Sequence, residues 1–350
     1  MIIVSSAPES EQIAANEIYK INPSAKFIKR ISHGVCLYDV NIDTFFKSAQ
    51  IKPPIFIRHI MPVDLVLKLP DYAENSPQLL SPPLNGHSGF NFNTSFSPVF
   101  ERLTSLPFSV QTRIFCRNSA LLTPLLVNND ISEFLENSGN ILDVKNPQQI
   151  ISVIITDTDI YAGLSSPEFN MSKWSGGAPM YSKTEPFISR AEFKLTEAME
   201  VFGVSFKKES SALDLGAAPG GWSKILINAG LKVTSVDPAI LSEALAGKVT
   251  HVKATAQQFF RNISERECKF DVITNDMKID YNEAIDILFE AEKFLSGKGI
   301  IITTFKLPEK NQQKTAYKAV EILAGKYDVK GARRLFHNRS EVCVVLNKKQ

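Results

Sequence analysis

The stretch Ser211-Ala-Leu-Asp-Leu-Gly-Ala-Ala-Pro-Gly-Gly-Trp222 constrains this chain more than any other. A short apolar run from Ala212 to Leu215 breaks at Gly216, and Trp222, Ile225, Leu226 and Ala229 then follow at helical spacing. The pattern reads strand, tight loop, helix. It is the first turn of a doubly wound α/β fold, in which a ligand sits at the carboxyl ends of the strands.

What the loop lacks narrows the ligand. A dinucleotide fingerprint has glycine at its first, third and sixth positions so that the backbone can close on a pyrophosphate. Gly216 and Gly221 occupy the first and sixth, but Ala218 stands third and Pro219 follows. Proline removes a backbone donor and obstructs the approach, which disfavours phosphate. The next strand, Lys232-Val-Thr-Ser-Val-Asp237, ends in a carboxylate 21 residues beyond Gly216. At that distance an acid takes the two hydroxyls of a ribose. A nucleoside without phosphates fits both observations, and S-adenosylmethionine is the common one.

The chain has 350 residues, enough for two or three domains, and its 44% hydrophobic content is that of a soluble globular protein. No apolar run reaches membrane-spanning length, and Met-Ile-Ile-Val-Ser-Ser at the start has neither a basic region nor a cleavage pattern. A cytoplasmic location is therefore expected. Cys36, Cys116, Cys268 and Cys343 are scattered without a Cys-x-x-Cys pair, which predicts core thiols and no metal site.

Charge is distributed unevenly. Residues 1–180 carry 13 Lys and Arg against 16 Asp and Glu, whereas residues 181–350 carry 26 against 21. Most of the excess falls in the last fifty residues, from Lys306 through Arg333, Arg334 and Arg339 to Lys349. Such clustering suits a phosphate backbone, although lysines four apart on a helix also describe a solvated face.

Residues 1–69 read as a small α/β unit with strands at Ile2, Ala25 to Arg30, Gly34 to Val40 and Ile55 to Ile60, and helices over Glu9 to Tyr19 and Ile42 to Ala49. His59 reads as a core histidine. From residue 70 to 98 the composition turns to Pro, Ser, Asn and Gly, which predicts a loop or linker. Residues 99–168 then read strand (Ser109 to Cys116), helices near Leu121 to Leu126 and Ile131 to Ser138, and two strands ending in Ala-Gly-Leu-Ser165. That order resembles a THUMP domain, a module of RNA-modifying enzymes. Residues 169–186 read as a second linker.

Residues 187–350 continue the alternation. A helix opens at Ile188-Ser-Arg-Ala-Glu-Phe-Lys194, with Ser189 and Glu192 spaced as a capping box. Beyond the glycine turn come strands at Val249 to Lys253, Phe270 to Asp276, Gly299 to Phe305, Tyr327 to Leu335 and Glu341 to Leu346, with helices Tyr281 to Leu295 and Gln312 to Ala324. Alternation argues a parallel sheet, and two final strands without a helix between them argue an antiparallel edge hairpin. The expected fold is α/β: a Rossmann-like domain with a mainly parallel sheet, preceded by a smaller α+β region.

Five ordered motifs carry a family resemblance over about 165 of the 350 residues: Ser189-Arg-Ala-Glu-Phe-Lys194, Asp214-Leu-Gly-Ala-Ala-Pro-Gly-Gly-Trp222, Asn275-Asp-Met277, Phe305-Lys-Leu-Pro308 and His337-Asn-Arg-Ser-Glu341. In order and spacing they resemble the FtsJ-like ribose 2'-O-methyltransferases, and in detail the RlmM group that modifies large-subunit (23S) ribosomal RNA. The resemblance implies a catalytic tetrad at Lys194, Asp276, Lys306 and Glu341. It also implies cofactor contacts at Ser189, Asp214, Gly216, Ala218, Pro219, Gly220, Gly221, Trp222, Asp237, Thr255 and Asp276, and RNA as the partner. Thr255 stands where the family commonly presents an acid to the adenine.

The chemistry explains these residue types. Methyl transfer is an in-line displacement, so donor and hydroxyl must be aligned and a poor nucleophile stripped of its proton. A lysine serves as base only when neutral, which a neighbouring cation favours. Lys306 is assigned as base, Lys194 as its tuning neighbour, and Asp276 and Glu341 as orienting acids. Three other readings stay open: an RNA assembly factor that binds the cofactor without catalysis, a methyltransferase of transfer or other RNA, and a nicotinamide-dependent oxidoreductase, which would want glycine at position 218.

Overall fold

A computed structural model describes residues 1–69, 91–116, 122–263 and 268–349. The chain divides into two compact units, Met1–Pro179 and Met180–Gln350. No helix among the described residues is long and apolar enough to cross a membrane.

The first unit holds two four-stranded sheets. In one, β1 (Ile2–Ser6), β2 (Lys26–Ser32), β3 (Val35–Asp39) and β4 (Ile57–Pro62) run in the order β2-β3-β1-β4, all antiparallel. Helices α1 (Glu11–Ile21) and α2 (Ile42–Ile51) cover one face through Ala14, Ile18, Phe45 and Ala49. His59 lies in β4 at 4% exposure. The strand expected at Ile55 begins at Ile57, because Glu17 takes the amides of Ile55 and Phe56 at 2.8 and 2.9 Å.

The second sheet contains β5 (Leu65–Lys68), β6 (Phe108–Phe115), β7 (Gln149–Thr156) and β8 (Asp159–Ser165) in the order β5-β8-β7-β6, with β6 and β7 parallel. Leu65–Lys68 thus pairs with β8 and not with the first sheet, which shifts the boundary expected at residue 69. Most of the expected 70–98 linker lies outside the described residues. Its end is helical: α3 (Phe92–Ser95) and α4 (Ser97–Phe100) bury Phe92, Phe96 and Val99 at 0–2% exposure, an apolar spacing that outweighs the polar composition around it. The two helices expected around 121–138 are one, α5 (Pro124–Asn137), capped by Thr123. Val127, Ile131 and Leu135 give it a continuous buried face across the Asn128-Asn-Asp130 interruption. The segment expected to link the units is packed at its start, where Phe169 stacks on Phe46.

The second unit is one seven-stranded sheet with helices on both sides. In chain order it contains α6 (Ala191–Val201), β9 (Ser211–Leu215), α7 (Gly221–Asn228), β10 (Lys232–Val236), β11 (Thr250–Val252), α8 (Ala256–Asn262), β12 (Phe270–Asn275), α9 (Tyr281–Ala291), β13 (Leu295–Lys306), α10 (Gln312–Ala324), β14 (Tyr327–Arg333) and β15 (Glu341–Lys348). The order is β11-β10-β9-β12-β13-β15-β14, parallel from β11 to β13. β15 is inserted between β13 and β14 and runs antiparallel to both. It is therefore an interior strand, and of this hairpin β14 alone lies at a sheet edge. The reason is readable in Val342-Cys-Val-Val-Leu346, each residue 0–1% exposed, because a strand covered on both faces is continuously apolar. Burying side chains such as Leu226 and Ile301 completely contributes about 1.5–3 kcal/mol each. Helix α8 adds to the expected elements, and the helix expected to reach Leu295 ends at Ala291, where a short 3₁₀ turn leads into β13.

The chain runs outward from β9 through β10 to β11, then returns to β12 on the other side. The switch point lies between β9 and β12, and ligands of such sheets bind beyond the carboxyl ends of the strands there.

Candidate active site

A cavity of about 890 Å³ opens at that edge. The turn after β9 forms one wall. Gly216 N and Ala217 N donate to Val236 O at 2.9 and 3.3 Å, tying the turn to β10. Gly220 has φ +113°, a conformation that L side chains rarely adopt, and begins α7. At Gly221 a Cβ would lie 2.4 Å from Ser189 Oγ, so the absence of a side chain lets the 189 segment close over the turn. Pro219 lines the cavity and Trp222 is 3% exposed.

Asp214 lines the cavity but is itself 1% exposed. Its two oxygens accept from Ser223 Oγ at 2.6 Å and Thr274 Oγ1 at 2.8 Å, which joins β9 to α7 and β12. Burial raises its carboxyl to about 6 despite those two donors. Asp237 follows β10 directly. Oδ2 accepts from Ala218 N at 3.0 Å and Oδ1 from Ala239 N at 2.8 Å, so the acid shapes the glycine turn while retaining acceptor capacity toward the cavity.

Thr255 caps α8. Its hydroxyl accepts from Gln258 N at 3.2 Å and Gln258 Oε1 accepts from Thr255 N at 2.9 Å, a complete capping box whose Thr-x-x-Gln signature was present in the sequence and went unread. The capping box expected at Ser189 is half formed. Glu192 Oε1 accepts from Ser189 N at 3.3 Å and from Ile188 N at 2.7 Å, but the N-cap of α6 is Arg190. Among the described residues neither Ser189 Oγ nor Trp222 Nε1 has a hydrogen-bond partner, though both atoms are buried and both residues line the cavity. Buried polar atoms without partners are costly, and a polar ligand in the cavity would relieve both. These orphans, the close-fitting glycine turn and the acid after β10 fit a nucleoside-bearing cofactor.

The four tetrad positions converge at the other end of the cavity. Lys194 comes from α6, Asp276 follows β12, Lys306 ends β13, and Glu341 begins β15 opposite Lys306 in register. Lys194 Nζ lies 3.1 Å from both Asp276 oxygens and 2.9 Å from Glu341 Oε1. Lys306 Nζ donates to the same Glu341 Oε1. Thr304 Oγ1 adds a bond to Asp276 at 2.6 Å, and Arg339 N donates to Glu341 Oε2 at 2.6 Å. Burial opposes ionisation of Glu341, but the two ammonium groups prevail and hold its carboxyl down at about 2. Burial likewise opposes the charge on Lys194, and the two carboxylates outweigh it, so its ammonium is held above the ordinary lysine range. Lys194 is 16% exposed and Lys306 28%.

Sequence reasoning missed a buried pair behind the site. Lys224 Nζ donates to Glu192 Oε2 at 2.9 Å, Pro186 O at 2.6 Å and Thr184 O at 2.7 Å. With Glu192 on the amides of Ile188 and Ser189, the pair fastens the 184–189 segment against α7. The C-terminal basic cluster is dispersed: Arg334 is 2% exposed, Lys326 and Lys348 pair with Glu292, and Lys348 lies at the opposite end of β15 from Glu341. All four cysteines are free thiols, and no group of three or more metal-ligating side chains occurs among the described residues.

The strand order, the glycine turn and the acid after the second strand define a Rossmann-like, doubly wound domain. Residues 187–310 match the family model described as FtsJ-like methyltransferase. The family uses S-adenosylmethionine as methyl donor. The chain is similar to the protein named ribosomal RNA large subunit methyltransferase M of Azotobacter vinelandii, 28% identical over 59% of this chain and 61% of that one. Its counterpart in Psychromonas ingrahamii is 30% identical over 52% of each chain. In Thauera aminoaromatica the match covers 88% of this chain and 83% of the relative at 24% identity. The first two matches thus span about half to three fifths of those relatives.

Proposed function

We propose that this protein transfers a methyl group from S-adenosylmethionine to a ribose 2'-hydroxyl of RNA, with large-subunit ribosomal RNA as the substrate. The observation that carries the reading is the sharing of Glu341 Oε1 by Lys194 and Lys306 beside a glycine turn suited to a nucleoside. The relatives named above support ribosomal RNA as the target.

The bound cofactor supplies an electrophilic methyl group on a sulfonium. Asp237 would accept from its ribose hydroxyls, and Ser189 and Trp222 would offer it their orphan polar atoms. Lys306 is the general base. It is the more exposed of the two lysines, lines the cavity and is engaged by one carboxylate rather than two. Lys194, held charged by Asp276 and Glu341, is fixed on the same carboxylate oxygen that engages Lys306. Lys306 Nζ takes the hydroxyl proton as the oxygen attacks, and the two acids keep the amines in place.

The test is methylation of ribosomal RNA from a strain that lacks the gene, using labelled S-adenosylmethionine, with alkaline-resistant phosphodiester bonds mapped in the product. Label in the RNA at an alkaline-resistant position is the expected result. Label on a base, or none in any RNA, overturns the proposal.

A further inference from the structure

The segment between β14 and β15 is held by buried charged side chains out of proportion to its length. Glu197 of α6, 3% exposed, accepts from Phe336 N at 2.7 Å, from His337 N at 2.9 Å and from His337 Nδ1 at 2.8 Å. Arg334, 2% exposed, donates through Nε to Arg339 O at 3.0 Å. Asn338 Oδ1 accepts from Leu335 N at 3.0 Å, and Arg339 N continues the chain of bonds to Glu341. The His337 ring stacks on Tyr181, with centroids 5.5 Å apart and planes 28° apart, and lies 5.3 Å from Phe193. Burying charge is costly unless the geometry repays it. Here it fixes a short connection that ends at Glu341.

At the crest of that rigid connection Phe336 stands 41% exposed. Its ring meets His337 edge-on, with centroids 5.2 Å apart and planes 88° apart, and Phe336 lines the cavity together with Arg190 and Arg339. A partly exposed ring on a backbone tied down by buried charge, lining one cavity with two arginines, is suited to receive an unstacked base and its phosphates. The sheet order places it at the acceptor end. The β14–β15 connection adjoins Lys306 and Glu341, whereas Asp237 and Thr255 lie beyond β9 at the other end.

We infer that Phe336 is the platform on which a base beside the target ribose stacks, so that the enzyme takes unpaired RNA rather than duplex. In a duplex both faces of a base are covered by neighbours, and the ring can engage one only after it is splayed out. Glu197 is the positioning residue for this platform. The inference deepens the RNA methyltransferase reading and rests on it.

The experiment compares wild type, Phe336→Ala and Phe336→Trp by fluorescence anisotropy, with a short labelled single-stranded oligoribonucleotide and with the duplex it forms with its complement. Calorimetric titration with S-adenosylmethionine and single-turnover methylation of ribosomal RNA run alongside. The expected result is roughly 5- to 100-fold weaker single-strand binding for Phe336→Ala, wild-type binding for Phe336→Trp, unchanged cofactor affinity, and weak duplex binding that ignores position 336. Equal single-strand binding by wild type and Phe336→Ala overturns the inference, as does preference of the wild type for duplex. So does loss of cofactor affinity in Phe336→Ala, which would move the ring to the donor end. A wild type that methylates RNA while Phe336→Ala matches it sinks this inference alone. A wild type that binds no S-adenosylmethionine sinks the parent reading as well.

Discussion

Lys306 and Glu341 face one another in register across β13 and β15, and Lys194 reaches the same carboxylate oxygen from α6, a side-chain bond spanning 147 positions of sequence. One acid thus organises both amines. Removing either amine should leave the donor end of the cavity untouched while altering the acceptor end.

For Lys306→Ala, single-turnover methyl transfer should fall by about 10²- to 10⁴-fold, the usual contribution of a positioned base. Calorimetry should find cofactor affinity near the wild-type value. Retention of most activity would remove Lys306 from that role.

Glu341 links stability to acidity. Its folded carboxyl sits at about 2, below the ordinary 4.5, so the native state holds the proton less tightly than the unfolded chain. The stabilisation is complete above about pH 5 and is lost as the pH falls through about 2. Melting temperatures of wild type and Glu341→Gln measured from pH 7 downward should therefore differ by a constant amount above about pH 5 and converge below it. A constant difference across the whole range would contradict the assignment.

Asp214 has the opposite sign. Its folded carboxyl is raised to about 6 by burial, so its contribution is full below the ordinary 3.8 and is lost as the pH rises through about 6. Asp214→Asn has no such titration. Whatever its offset from wild type, it should gain on wild type in melting temperature between about pH 4 and 6 and run parallel to it above that. Curves parallel across that lower window too would show that Asp214 does not titrate there.

Lys224 and Glu192 are 8% and 3% exposed. Lys224→Met leaves a buried carboxylate without its cation and should cost about 3–5 kcal/mol by chemical denaturation, together with cofactor affinity as the 184–189 segment loosens. The double variant Lys224→Met/Glu192→Leu should recover part of that stability, since two apolar groups replace the pair. No recovery would mean that the carbonyls of Thr184 and Pro186 carry the effect.

Much of the second unit was legible because local signals agreed with tertiary ones. The Ala212 to Leu215 run, the break at Gly216 and the Trp222/Leu226 face each describe a short-range pattern, and the sheet repeats it. The expected antiparallel edge hairpin of β14 and β15 is present, and β15 pairs with β13 as well. Its uninterrupted apolar run, which marks an interior strand, was the signal for that second pairing. In the first unit polar composition concealed Phe92, Phe96 and Val99, and Asn128-Asn-Asp130 concealed the continuity of α5. Lys224 was illegible for another reason. A lysine amid apolar helix positions reads as solvent-facing until its carbonyl acceptors, about 40 residues upstream, are known.

The direction of β15 has a consequence for the making of the protein. Because this strand runs against its neighbour, the acid that both amines need arrives with its first residue, after nearly all the rest of the domain has been synthesised. A nascent chain that ends at β13 holds Lys194 against Asp276 alone, Lys306 without the carboxylate that engages it, and a bare strand edge. The four-residue cluster is therefore incomplete until the last interior strand slots home.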